Sequence, residues 1–311
     1  MRRFWMKDDT ASQTNESYRL INAGGNHYDI GRKMTDAITP RLLERLGGAF
    51  DAKLLKSRII SAEYTFSVHP VLRDEIQGIC EGISIETDGM IFEITGCAQP
   101  THSVTVLLRK NGGITLGRNF SSSPSNFVLN LLRLDPNDSY ASLGRMCGYF
   151  AGTWESTGVY GIHVSADVLD GRCMEGGVSA YMVPRILTES SKDIGTALEK
   201  LKTMKIVQPS SFIVADRNSA YSALFEGGDM KLEKIETFPA LFINGRRGES
   251  IDAEDAWEIL MDHGRGFCLH ENERATLYSL CVDFTEELIQ YTDGSPCLAE
   301  RKNVDWPGGY G

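Results

Sequence analysis

The chain has 311 residues, 41% apolar and 24% charged, with 32 basic against 42 acidic side chains and a net charge of −10. That is the balance of a folded globular protein with enough chain for a large core, in one domain or two. It argues against a general nucleic-acid binder, which needs a basic face. No apolar run reaches the roughly 18 residues of a membrane-crossing helix, so no membrane association is expected.

The start, Met1 to Asp9, carries basic residues with no apolar stretch behind them, and no secretory signal is expected from it. The seven cysteines are odd in number and widely scattered, with no CxxC pair. Neither a disulfide framework nor a zinc ribbon is expected, and a reducing, cytoplasmic location is the reading. The six histidines (27, 69, 102, 163, 263 and 270) lack the spacing of metal ligands, so no metal and no cofactor is expected.

The first 95 residues read as mostly helical. Ile30 to Leu46 has apolar residues at near-helical period, interrupted by Pro40. His69 to Ile83 carries Val71, Leu72, Ile76, Ile79 and Ile83 on one stripe, and Asp88 can cap a short helix through Ile94. Two β-like runs follow, Ser103 to Leu108 and Ile114 to Phe120, separated by Lys110-Asn111-Gly112-Gly113. Asn-Gly between apolar runs predicts a two-residue hairpin turn, because a type I′ turn needs positive φ twice. That turn predicts His102 opposite Ser121.

Further on, Tyr160 to Val168 reads as a strand, and Tyr181 to Leu187 and Ile194 to Met204 as helices. Four short strands follow at 211–215, 221–225, 230–235 and 241–243, then a helix at 253–261. A last hairpin spans 276–284 and 286–291. Antiparallel pairs with grouped helices predict a layered α+β fold.

P-loop, dinucleotide-binding, HExxH and GxSxG motifs are all absent. The candidate chemistry lies in Thr95-Gly96-Cys97-Ala98, with Gly117-Arg118-Asn119-Phe120 some twenty residues on. The hairpin register brings both toward one end, and a thiol beside a guanidinium has a route to thiolate stabilisation. A free cysteine is also commonly a small buried core residue.

Several segments resemble, in order, the N-terminal-nucleophile (Ntn) hydrolases of the branch that holds penicillin acyl-coenzyme A acyltransferase and the choloylglycine hydrolases. Gly25-Asn26-His27-Tyr28-Asp29-Ile30-Gly31 is similar to that branch's opening G-x-x-Y-x-x-G. Glu75-Ile76-Gln77-Gly78-Ile79-Cys80-Glu81-Gly82 is similar to its E-x-x-G-I-A-x-G helix. Gly96-Cys97 resembles its processing site and Gly117-Arg118-Asn119 its G-R-N-x-D strand. Pro184 to Leu187 with Ala197-Leu198 resembles its paired helices, and Ser211 to Asp216 through Glu226 resembles its a-D…E hairpin.

The resemblance implies a four-layer αββα sandwich of two mainly antiparallel sheets, the Ntn-hydrolase fold. Residues 1–96 would be a mostly helical propeptide or α chain, and residues 97–311 the nucleophile-bearing portion of one integrated domain. It implies self-cleavage between Gly96 and Cys97. The freed Cys97 would then attack a small-molecule amide or acyl thioester through a thioester intermediate, its α-amine serving as base. The resemblance puts Arg118 beside the nucleophile and Asn244 on the oxyanion side, with Asn119, His163 and Arg274 in support. Arg118 can equally be a structural ion pair on a strand, and Asn244-Gly245 can equally be a turn.

The chain also departs from the pattern. Ser121 stands where the family has an aspartate that orients the nucleophile's amine, Ala98 replaces the usual threonine, and Ile162 to Asp167 lacks the family's asparagine pair. Two other readings follow: an unprocessed, non-catalytic relative that binds or scaffolds, and a biosynthetic thioesterase or acyltransferase. The partners expected are a small substrate and the two fragments for each other. A homo-oligomer is compatible with the sequence.

Overall fold

The computed structural model describes residues 19–35, 52–98, 100–122, 130–146, 151–249, 251–270 and 275–308. Arg274 and the predicted helix beyond residue 35 lie outside them. Among the described residues no helix is long and apolar enough to cross a membrane.

Among the described residues fifteen strands form two sheets. The eight-stranded sheet takes β1 (Leu20–Gly25), β4 (Leu131–Pro136), β5 (Ser142–Met146), β6 (Thr153–Gly158), β7 (His163–Val168), β8 (Ser210–Ala215), β9 (Ala220–Glu226) and β10 (Asp229–Lys234), in that order. The seven-stranded sheet runs β12 (Arg246–Arg247), β11 (Ala240–Ile243), β2 (His102–Lys110), β3 (Gly113–Ser122), β13 (Ala275–Asp283), β14 (Leu288–Asp293) and β15 (Lys302–Val304). All pairings are antiparallel except β1 with β4, which is parallel. The expectation for residues 1–96 therefore needs one addition: the segment supplies an edge strand as well as helices.

Strand alternation sets the layers. On β2, Val104, Val106 and Leu108 face outward and pack on α7 (Ala256–Leu260). Leu107 faces inward, where with Leu116, Ile213, Ala215, Phe242 and Leu280 it fills the space between the sheets. On the far face of the larger sheet, Val164, Ala166, Val168, Phe212 and Val214 meet a second core. That core is built with α1 (His27–Met34), α2 (Ala52–Val68), α3 (Leu72–Ile83), α4 (Thr87–Ile94), α5 (Val183–Ser190) and α6 (Ile194–Thr203). The result is an α+β sandwich with helices outside both sheets.

Asn111 and Gly112 have φ of 52° and 79°, the two left-handed residues that the β2–β3 turn needs, and the register is His102 opposite Ser121. The α1 and α3 helices meet backbone to backbone. A Cβ on Gly31 would lie 2.1 Å from the Glu75 carbonyl oxygen, and one on Gly78 would lie 2.1 Å from that of Tyr28. Two of the glycines that carry the resemblance thus face each other's helices.

Candidate functional site

Four residues separate Cys97 from the start of β2 at His102. The connecting segment lies against the larger sheet. The Ala98 N–H donates to Gln208 Oε1 at 2.8 Å, and Gln208 Nε2 donates back to the Ala98 carbonyl at 3.1 Å. Thr101 N donates to the Val168 carbonyl, and its hydroxyl donates to Asp167 Oδ1 at 3.1 Å while accepting from Val168 N. The Gly96–Cys97 peptide is therefore held at a β7 end rather than at the head of β2.

Three groups converge on that peptide. The Ser179 hydroxyl donates to the Gly96 carbonyl at 2.7 Å. Arg58, from α2, donates to the Thr95 carbonyl and brings Nη1 to 4.0 Å from Cys97 Sγ. Cys97 Sγ is bonded to Cys173 Sγ in a disulfide. This corrects the expectation that the cysteines form no disulfide. The two lie 76 residues apart, so nothing in local spacing could mark them as a pair.

Arg118 sits elsewhere, fully buried between the sheets. It forms a two-pronged pair with Asp167 (Nη1–Oδ2 3.1 Å, Nη2–Oδ1 2.9 Å), donates to the Ala166 carbonyl and Thr105 Oγ1, and lies 3.4 Å from Glu155 through Nε. Its terminal nitrogens are spent on structure, while Nε makes no hydrogen bond among the described residues. Burial works against the guanidinium's charge, but the fields of Asp167, Tyr278 and Glu155 outweigh it and hold the proton more firmly. Glu155 is pushed up to about 7 by burial, with Arg118 and Arg145 pulling the other way. His163 is pushed down to about 3 by burial and then by Arg118, so it is neutral at physiological pH, its Nδ1 2.9 Å from Thr157 Oγ1.

The other candidates divide by strand face. Asn119 points away from Arg118, to the α7 side, where Nδ2 donates to the Leu260 and Phe267 carbonyls and Oδ1 accepts from Ser279. Ser121 lies 3.2 Å from Thr276 Oγ1, and its partner across the hairpin is His102, not Cys97. Asn244 has φ of 50° and, with Gly245 at 72°, makes the β11–β12 turn. Its Oδ1 accepts from Ser103 N and its own N–H donates to the Ser103 carbonyl. No contact among the described residues joins Cys97 to Arg118 or Asn244. The link that exists runs Thr101–Asp167–Arg118.

Nothing in the sequence marks Arg58, Ser179, Gln208 or Cys173 as site residues. Each reaches the Gly96–Cys97 region from 39 to 110 positions away, which no motif encodes. A shallow cleft of about 510 Å³, lined by Leu108, Arg109, Lys110, Phe238 and Pro239, lies at the turn end of β2 and holds none of the candidates. Although the histidines lack metal-ligand spacing along the chain, the fold gathers His263, Cys268, His270 and Cys297 into one group, which corrects the expectation drawn from spacing.

No family model and no curated protein matches the chain. Among solved structures it is similar to a variant of conjugated bile acid hydrolase from Clostridium perfringens, with TM-score 0.44 and 10% identity over 65% of this chain and 97% of that one. A second mutant of the same hydrolase gives 0.42 and 12% over 66% and 92%. The N-acylethanolamine-hydrolyzing acid amidase ortholog of Caenorhabditis elegans gives 0.45 and 12% over 58% and 92%. At these values the architecture rests on the strand order and layers described above.

Proposed function

We propose that the protein is a self-processing cysteine hydrolase or acyltransferase of small-molecule amides, held in an oxidised resting form by the Cys97–Cys173 bond. The observation that carries this reading is the chemistry gathered on one peptide bond. A hydroxyl donates to the Gly96 carbonyl, and a guanidinium lies 4.0 Å from the sulfur of the next residue.

Reduction comes first: two external thiols exchange for the disulfide and leave Cys97 and Cys173 as thiols. The Cys97 sulfur attacks the Gly96 carbonyl carbon, and Ser179 supplies a hydrogen bond to the oxygen as it becomes negative. A cation beside the sulfur favours thiolate over thiol. The C–N bond breaks as the C–S bond forms, the nitrogen takes the proton, and water then hydrolyses the thioester to a Gly96 carboxylate and a free Cys97 thiol. The new α-amine has an ordinary pKa near 8 and can serve as base in the next cycle. An amide or acyl thioester substrate then passes its acyl group to the thiol, and water or an amine takes it off. In this reading Arg118 and Asp167 are positioning residues that hold the segment leading to Cys97 through Thr101, and Asn244 pins the head of β2. The reducing cytoplasm is where the thiol would be free, and the two pieces, 1–96 and 97–311, stay associated.

A second reading, the unprocessed binding or scaffold relative, is favoured by the β2–β3 register. If Ser121 takes the place of the family's amine-orienting aspartate, the nucleophile's place falls to His102, which has no thiol. Cys97–Cys173 is then a structural cross-link.

Intact mass with and without reductant separates the two. Processing yields pieces of 96 and 215 residues after reduction in the wild type and none in Cys97→Ala. A wild-type chain that stays at 311 residues under sustained reduction removes the first reading. A panel of amides against acyl thioesters, run on the processed protein, then assigns amidase or thioesterase chemistry.

A further inference from the structure

On the outer face of the seven-stranded sheet, away from Gly96–Cys97, four side chains turn their soft donor atoms toward one point. His263 follows α7, Cys268 and His270 lie in the connection to β13, and Cys297 follows β14. Cys268 Sγ is 3.5 Å from both Cys297 Sγ and His270 Nε2. Cys297 Sγ is 3.4 Å from His263 Nε2 and 3.1 Å from His270 Nε2, and the two Nε2 atoms are 2.9 Å apart. All four lie within 4.8 Å of one another.

A tetrahedral zinc ion with the usual bond lengths has ligand–ligand edges of roughly 3.8 Å for S–S, 3.5 Å for S–N and 3.3 Å for N–N. The five distances fall on or slightly inside those edges. The sulfurs at 3.5 Å are not bonded to each other. Hydrogen bonding alone explains the group poorly, because the two ring nitrogens can share only one proton while one sulfur faces both of them.

The backbone holds the ligands in place. Phe267 and Cys268 N–H groups both donate to the Asp262 carbonyl, and Gly266 N donates to that of His263. Leu269 N donates to Thr276 Oγ1, Ser295 Oγ donates to the Leu269 carbonyl, and Asn119 secures Phe267 from the strand beneath. Ligands preset by other bonds cost little further ordering when a metal arrives.

We propose that His263, Cys268, His270 and Cys297 form a closed, structural zinc site. Two thiolates with two imidazoles in tetrahedral array suit Zn²⁺. Four protein ligands leave no open position, so the ion cross-links two chain segments, the connection before β13 and the one after β14, rather than catalyses. The sequence pattern, His-x4-Cys-x-His with the second cysteine 27 positions after His270, departs from the common finger spacings, which is why spacing alone passed it over.

The test uses the full chain, purified under reductant without chelator, and reads metal content by elemental analysis. About one zinc per chain is expected, falling at least about tenfold in Cys297→Ser and in His263→Ala, and unchanged in Cys281→Ser. Because a ligand variant can fail to fold, the wild type is also stripped and titrated with Co²⁺. The visible bands of tetrahedral cobalt with thiolate charge transfer should appear and saturate at one equivalent. Absence of both zinc and a cobalt spectrum in the reduced wild type overturns the proposal. So does metal retained by both variants, or a Cys268–Cys297 disulfide formed in place of metal binding under reducing conditions.

Discussion

Glu155 is a carboxyl sealed between two sheets with Arg118 and Arg145 as its cationic neighbours, Tyr278 beside it and Asp167 opposing. Its rise from 4.5 to about 7 has a defined thermodynamic sign. Between those values the folded chain keeps a proton that the unfolded chain has lost, so stability falls as pH rises through that window. The penalty is complete above about pH 7 and amounts to at most about 3 kcal/mol. Glu155→Gln keeps the shape and removes the titration, so its unfolding midpoint in urea should decline less than the wild type's from pH 5 to pH 8. Parallel curves would mean that Glu155 ionises freely in the fold. His163 works in the opposite sense: its depressed value means that stability is lost as pH falls below about 6.5. His163→Gln should therefore flatten the acid limb between pH 6.5 and pH 4, and an unaltered limb would show that the ring is protonated in the folded state.

Between elements, the crossing of α1 and α3 leaves no room for a methyl group. Gly31→Ala or Gly78→Ala puts carbon against a backbone carbonyl oxygen that cannot rotate aside. Each should lower stability by about 2 kcal/mol or more through forced separation of the helices, and a urea midpoint within experimental error of wild type for either would refute the close approach. The β2–β3 hairpin makes a second prediction. Ser121 faces His102 and Thr276, so an acid placed there has no direct access to the Cys97 region. Ser121→Asp should leave the rate of any cut after Gly96 unchanged, as followed by gel after addition of reductant. A faster cut would bring Cys97 and residue 121 together in a way this register does not. Asn111-Gly112 made that register legible from sequence, because one turn type admits one pairing. The β4, β5 and β6 strands were not legible: Arg133, Arg145 and Glu155 interrupt their apolar alternation, and only the ion pairs of the folded state explain why charge is buried there. Gly96–Cys97 stood out in the chain, while Ser179, Arg58 and Cys173 became visible only once distant segments were brought together.

At the scale of the whole molecule, the disulfide and the strand order together set what a cut would do. Cys97 and Cys173 both lie downstream of Gly96, so the disulfide would not tether residues 1–96 to the rest. Cys173→Ser should make processing independent of reductant, and a continued requirement for it would place the control elsewhere. After a cut the attachment of the first segment would be non-covalent, through the β1 strand beside β4 and the helices packed in the core. Cleavage would consequently change the molecularity of folding. An intact chain refolds at a rate independent of its concentration, whereas a nicked one has to find its other half, so its recovery after denaturation becomes second order. Diluting the denatured, processed protein should lower the yield of native material, and diluting the unprocessed chain should not. A molecule built this way would be assembled once, as a single chain, and a cut would turn an equilibrium fold into one that dilution can make irrecoverable.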